Sequence, residues 1–145
     1  SMGGGASFLS IAFNPSIDVL ANLAAAETNP SAIAAAAAIT LPSLVIAGGN
    51  DCVTPPAAHQ IPMYNALASS CKTYVSINGA SHCQMADANT LCSLGEASCT
   101  PVAAISRAYQ HSVIDRYLIP FLDYHLKLDF TQLQYNGRRK LSIYS

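Results

Sequence analysis

The sequence predicts an α/β fold built on a small parallel sheet, and three observations predict it. Strand-like and helix-like segments alternate along the chain. The clearest strand candidate, Leu44-Val45-Ile46-Ala47, is an unbroken aliphatic run, the pattern of a strand buried on both faces. Two of the strand-like runs stop at glycine, one at Gly48-Gly49 and one at Gly79. About three strands are visible, so the first of them needs a neighbour that these residues do not supply.

Each element has its own justification. Residues 3–13 are small and apolar and stop at Asn14-Pro15, which reads as a short buried helix. Residues 16–26 (SIDVLANLAAA) read as a strand running into a loop that ends at Glu27-Thr28-Asn29-Pro30. Residues 31–39 form a short alanine helix by propensity. After strand 44–47 and Pro55-Pro56, residues 57–67 carry Ile61, Tyr64 and Leu67 at helical spacing. Residues 72–78 (KTYVSIN) alternate like a strand. Residues 84–99 are polar and read as a loop insertion. Thr100-Pro101 then offers an N-cap with proline in the first turn. A final helix follows with Ile105, Tyr109, Val113, Tyr117, Phe121 and Tyr124 on one stripe, kinked at Pro120. One domain over 1–128 and a tail at 129–145 without a firm signal complete the organisation.

Composition narrows the function classes. The chain of 145 residues is 51% hydrophobic and 10% charged, with a formal net charge of −1. Its one basic run, Arg138-Arg139-Lys140, reads as a solvated tail, so nucleic acid is not the expected partner. The most apolar stretch, 31–47, is alanine-rich and broken by Thr40, Pro42 and Ser43, which falls short of a membrane span. Five cysteines point to an oxidising compartment, secreted or periplasmic, and their odd count leaves one thiol without an internal partner. The chain opens on small residues, not a basic segment, so no secretory leader is expected within it.

In an open parallel sheet the loops at the strand C-termini hold the site. Ser1 precedes a glycine-rich helix start, Asp51 follows LVIAGGN, and His82 follows KTYVSINGAS. A serine nucleophile needs a neutral imidazole to take its proton, and the imidazole needs a carboxylate to fix its tautomer and stabilise the imidazolium. The order Ser, Asp, His is the one α/β-hydrolases use. Taken singly, Asp51 reads as a turn residue and His82 as a loop histidine. His59, His111 and His125 fall on predicted helices and read as surface or packing residues.

From SMGGG through LVIAGGND and INGASH to the long final helix, the sequence resembles the C-terminal half of an α/β-hydrolase. Within that superfamily it is most similar to the cutinase and polyester-hydrolase branch, with dienelactone-hydrolase-like enzymes as cousins. The resemblance implies parallel strands with helices on both faces, incomplete without a preceding N-terminal segment. It implies Ser1 as nucleophile of a G-x-S-x-G elbow, Asp51 as acid and His82 as base. Met2 would give one oxyanion donor through its backbone N–H, and Gly3 and Gly4 would allow close packing at the turn. Val53, two residues beyond the acid, would wall a subsite. The implied activity is hydrolysis of a small ester or polyester without a cofactor. Polyester hydrolases usually carry an aromatic residue in the loop that here reads LAAAETNP, and this chain has no tryptophan, so a smaller or aliphatic ester fits as well.

Cys52 follows Asp51 directly and Cys83 follows His82. Meeting of the two side chains in a triad would bring those backbones close enough for a Cys52–Cys83 disulfide. Some polyester hydrolases link these two loops at slightly shifted positions. Cys92 with Cys99 would then close a local loop and leave Cys71 over. A zinc site from His82, Cys83, Cys92 and Cys99 has spacings of eight and six intervening residues, which match no common zinc pattern. Other readings of the same residues are an acyltransferase with this triad and a non-catalytic binding module of hydrolase fold. Ser1 also has two further readings: a remnant of tag removal, and an N-terminal serine released by autoproteolysis that uses its own α-amine as base.

Overall fold

The computed structural model describes residues 1–127. The sequence's tail at 129–145, with Arg138, Arg139 and Lys140, lies outside the described residues. The elements run α1 (Met2–Ile11), β1 (Leu20–Leu23), α2 (Ala32–Ala36), β2 (Ser43–Gly48), α3 (Gln60–Ala66), β3 (Lys72–Ile77), α4 (Thr90–Glu96) and α5 (Arg107–Lys127), with a 3₁₀ turn at Cys83–Met85.

The three strands form one parallel sheet in the order β1-β2-β3. Val45 sits between Asn22 on β1 and Tyr74 on β3, Ile46 between Leu23 and Val75. Every residue of β2 is buried, because this central strand has helices on both sides. Its side chains alternate between two cores, as the two-residue period of a strand requires. Val45 points into one with Phe8 of α1, Ala32 and Ala36 of α2, and Met63 of α3. Leu44 and Ile46 point into the other with Ile77, Ala80, and Ile114 and Phe121 of α5. Full burial of each such aliphatic side chain contributes about 1.5–3 kcal/mol.

The sequence expectation for the strands is met in number and direction, and β1 is confined to Leu20–Leu23 inside the longer expected run. Two local expectations are overturned. The 84–99 insertion is not all loop: Asn89 caps α4 by accepting from the Cys92 N–H at 3.0 Å. The final helix starts at Arg107, not at Thr100-Pro101. The intervening segment is held by tertiary bonds that outweigh the local cap signal: Asn50 Nδ2 donates to the Val102 carbonyl at 2.7 Å and Ala104 N–H to the Gly79 carbonyl at 2.8 Å. Ser106 caps α5 instead, accepting from the Tyr109 N–H. Pro120 lies inside α5 without ending it. The fully buried residues of α5 are Gln110, Ile114 and Phe121; of the expected stripe, Phe121 is buried, Ile105, Val113 and Tyr117 pack against the second core, and Tyr109 is exposed.

Candidate active site

The first loop joins the start of α1 to the end of β1. The Ser1 carbonyl accepts from Gly4 N–H at 3.0 Å and from Ala26 N–H, in the loop after β1, also at 3.0 Å. Ala24 leaves the strand with φ 46° and is held by its N–H bond to the Ile46 carbonyl at 2.8 Å. The close approach falls on Gly4 and Gly5, not on the Gly3–Gly4 pair the resemblance implied. A Cβ on Gly4 would lie 2.8 Å from the Ala25 Cα, and one on Gly5 2.2 Å from the Ala26 carbonyl oxygen, whereas Gly3 faces open space. The Ser1 side chain is exposed and does not cap its helix. Met2 is exposed, and its N–H is among the first-turn donors that an α-helix leaves without an internal partner.

The second and third loops carry the titratable pair. Asp51 is buried; its Oδ1 accepts from the N–H groups of Val53 at 2.9 Å and Thr54 at 2.7 Å. Its Oδ2 lies 2.8 Å from His82 Nδ1. An ionised carboxylate only accepts, so Nδ1–H is the donor in this contact. The two loops are laced together where β2 and β3 end. Gly49 N–H donates to the Ile77 carbonyl and Asn50 N–H to the Ala80 carbonyl, each at 2.8 Å.

His82 sits in a backbone clamp that the sequence did not reveal. Gln110, fully buried on α5, spans the main chain of Ser81: its Nε2 donates to the Ser81 carbonyl at 2.9 Å and its Oε1 accepts from the Ser81 N–H at 3.1 Å. Glu96 at the end of α4 accepts from Ser81 Oγ at 3.0 Å and from Cys83 N–H at 3.1 Å. The Arg107 guanidinium donates to the carbonyls of Cys83 and Ala86. A charge-assisted bond of this kind is about twice as strong as a neutral one.

All four candidate cysteines are oxidised, but in the other pairing: Cys52 with Cys99 and Cys83 with Cys92. The expected Cys52–Cys83 bridge is not formed, because both residues turn to the α4 segment lying beside them. The sulfurs are therefore spent in disulfides and supply no thiolate for the zinc alternative. Cys71 is free and exposed, as the odd count required. Among the described residues no helix is long and apolar enough to cross a membrane.

The structure thus brings Asp51 and His82 into contact and sets Val53, half-exposed, two residues beyond the acid. Ser1 is anchored by its main chain at the same end of the sheet. His59 precedes α3 and accepts from the Glu27 N–H at 2.9 Å, in place of lying on a helix. His125 stacks between Phe121 and Tyr124, and burial lowers its basicity. Residues missed in the sequence are Thr54, Glu96 and Gln110. Only Thr54 had a local signal, the Asp-x-x-Thr spacing of a side-chain-closed turn.

A parallel sheet with an acid–base pair at its C-terminal edge and a tight helix entry beside it defines a chain of α/β-hydrolase type. Within that class the match is specific: residues 1–107 match the PET hydrolase-like family, PETase, and the chain belongs to it. Membership places it among hydrolases that act on esters. No curated protein matches the chain.

Proposed function

We propose that this chain carries the catalytic residues of a serine ester hydrolase acting through an acyl-enzyme. Ser1 Oγ attacks the ester carbonyl while His82 Nε2 takes its proton. Asp51 holds Nδ1 and stabilises the imidazolium. The oxyanion forms against the Met2 N–H, with a second donor from a preceding segment of the same hydrolase. His82 then gives the proton to the leaving alcohol, and water, activated the same way, releases the acid and frees Ser1. Val53 walls the subsite. The observation that carries this reading is the buried 2.8 Å contact between Asp51 Oδ2 and His82 Nδ1. Absence of tryptophan and the small residues at Ala24–Ala26 favour short or aliphatic esters beside aromatic polyesters. The two disulfides fit a secreted or periplasmic protein.

A fluorophosphonate probe applied to the complete enzyme is expected to label Ser1, and Ser1→Ala to lower the hydrolysis rate of a p-nitrophenyl ester by about a thousandfold or more. A probe that leaves Ser1 unlabelled removes the catalytic reading and favours a binding module. Excess alcohol raising ester product at the expense of acid would assign an acyltransferase instead. A second reading has an N-terminal serine, released by autoproteolysis, that uses its own α-amine as base. His82→Ala separates the two, since it abolishes activity only in the first.

A further inference from the structure

We propose that Thr54 is a positioning residue whose hydroxyl donates to Asp51 Oδ2 and thereby sets how strongly the acid holds the His82 imidazole. The proposal rests on the serine-hydrolase reading above.

Thr54 is 2% exposed, and its hydroxyl has three polar neighbours: Asp51 Oδ2 at 2.8 Å, His82 Nδ1 at 3.0 Å and the Ala24 carbonyl at 3.3 Å. A hydroxyl has one proton to give. His82 Nδ1 already carries a proton toward Asp51 and cannot accept it. Of the two remaining acceptors, Asp51 lies at the usual O–H···O distance and is charged, whereas the Ala24 carbonyl is 0.5 Å further away. The proton therefore goes to Oδ2, the same oxygen that faces His82. The Thr54 N–H meanwhile donates to Oδ1 at 2.7 Å. One residue thus fastens both carboxylate oxygens and fixes the plane in which Asp51 meets the ring.

The hydroxyl is itself held in place. Gln60, fully buried, donates from Nε2 to the Thr54 carbonyl at 3.2 Å and to the Ala25 carbonyl at 2.5 Å, so the Thr54 main chain is tied to the loop that also anchors Ser1. A carboxylate oxygen that accepts a second hydrogen bond is a weaker base. It then holds the imidazolium less tightly, and His82 returns its proton to the leaving group more readily. The other charged groups facing this loop are Glu96 on Ser81 and Cys83, and Arg107 on the Cys83 and Ala86 carbonyls. None of them touches Thr54, so a change at position 54 isolates the hydroxyl.

The test is steady-state hydrolysis of a soluble p-nitrophenyl ester by the complete enzyme from pH 5 to 9, for wild type, Thr54→Val and Thr54→Ser. Thr54→Val keeps the shape and removes the hydroxyl. It is expected to lower kcat about tenfold with KM within about twofold, and to move the acidic limb of kcat/KM upward by about half a pH unit. Thr54→Ser restores both to within about threefold. A wild-type kcat and limb in Thr54→Val, a limb that moves downward, or a Thr54→Ser as impaired as Thr54→Val overturns the proposal. If Thr54→Val loses its near-UV circular dichroism, Thr54→Ala carries the same expectations and the same refutations. His82→Ala in parallel distinguishes the two levels. Full activity there removes the triad and this proposal with it, whereas an inactive His82→Ala beside an unchanged Thr54→Val removes the Thr54 role alone.

Discussion

Gly3, Gly4 and Gly5 follow the candidate nucleophile, yet they stand in different surroundings. Gly5 abuts the Ala26 carbonyl so closely that an added methyl has nowhere to go, while the same methyl on Gly3 meets nothing. Gly5→Ala is therefore expected to destabilise the protein by roughly 1–3 kcal/mol through forced displacement of the Ala26 main chain. Gly3→Ala gains helix propensity and stabilises by up to about 1 kcal/mol. Chemical denaturation of the two variants measures both; equal effects would refute the close approach. The same contrast governs what was legible at this scale. Asp51 and His82 could be read because each follows a strand in a loop that the fold class marks. Gly4 and Gly5 could be told from Gly3 only by their distance to a loop twenty residues away, which no local pattern encodes. Gln110 was hidden for a related reason: a polar residue on an amphipathic helix reads as solvent-facing, and it is buried here because a main chain fills both its donor and its acceptor.

At the scale of elements, α4 braces the site. It is short, carries exposed Leu91 and Leu94, and buries no residue of its own, so helix packing does not hold it in place. Two disulfides and the Glu96 carboxylate do, and they attach to the residues directly after Asp51 and directly beside His82. The ring closed by Cys52–Cys99 spans 47 residues and that by Cys83–Cys92 spans 9. Chain entropy alone assigns about 4 kcal/mol to the longer ring and about 2.6 kcal/mol to the shorter. Replacing Cys52 and Cys99 together by serine is thus expected to lower the thermal midpoint further than replacing Cys83 and Cys92. Scanning calorimetry on the two double variants checks the order, and the reverse order would contradict it. The cysteines were legible as bonded residues but not as pairs. Proximity of acid to base suggested that their neighbours meet, whereas α4 lies between and takes both.

On the scale of the whole molecule, helices cover both faces of the sheet, and β1 and β3 are its two edges among the described residues. Strand β1 pairs only with β2 among the described residues, and its own Asn22 is buried with both amide atoms unpartnered. A groove next to it is lined by Gly3, Leu23 and Leu118. On the proposed hydrolase reading, this edge is where a further strand would pair, since unpaired buried backbone is costly. Residues 1–145 alone are then expected to unfold without a sharp transition or to self-associate. A monomer with a single cooperative transition in denaturant would count against it. Fold class and the parallel sheet were readable because Leu44–Ala47 is an unbroken aliphatic run and glycines mark where it ends. The start of α5 was not, because hydrogen bonds from Asn50 and Gly79 override the Thr100-Pro101 signal. Ser1 is moored to Gly4 and Ala26 through its carbonyl, a group that every amino acid carries. Its side chain is consequently an exchangeable fitting on a fixed socket. Cysteine or any other small residue set there inherits the same station at the mouth of the sheet, with the turn left as it is.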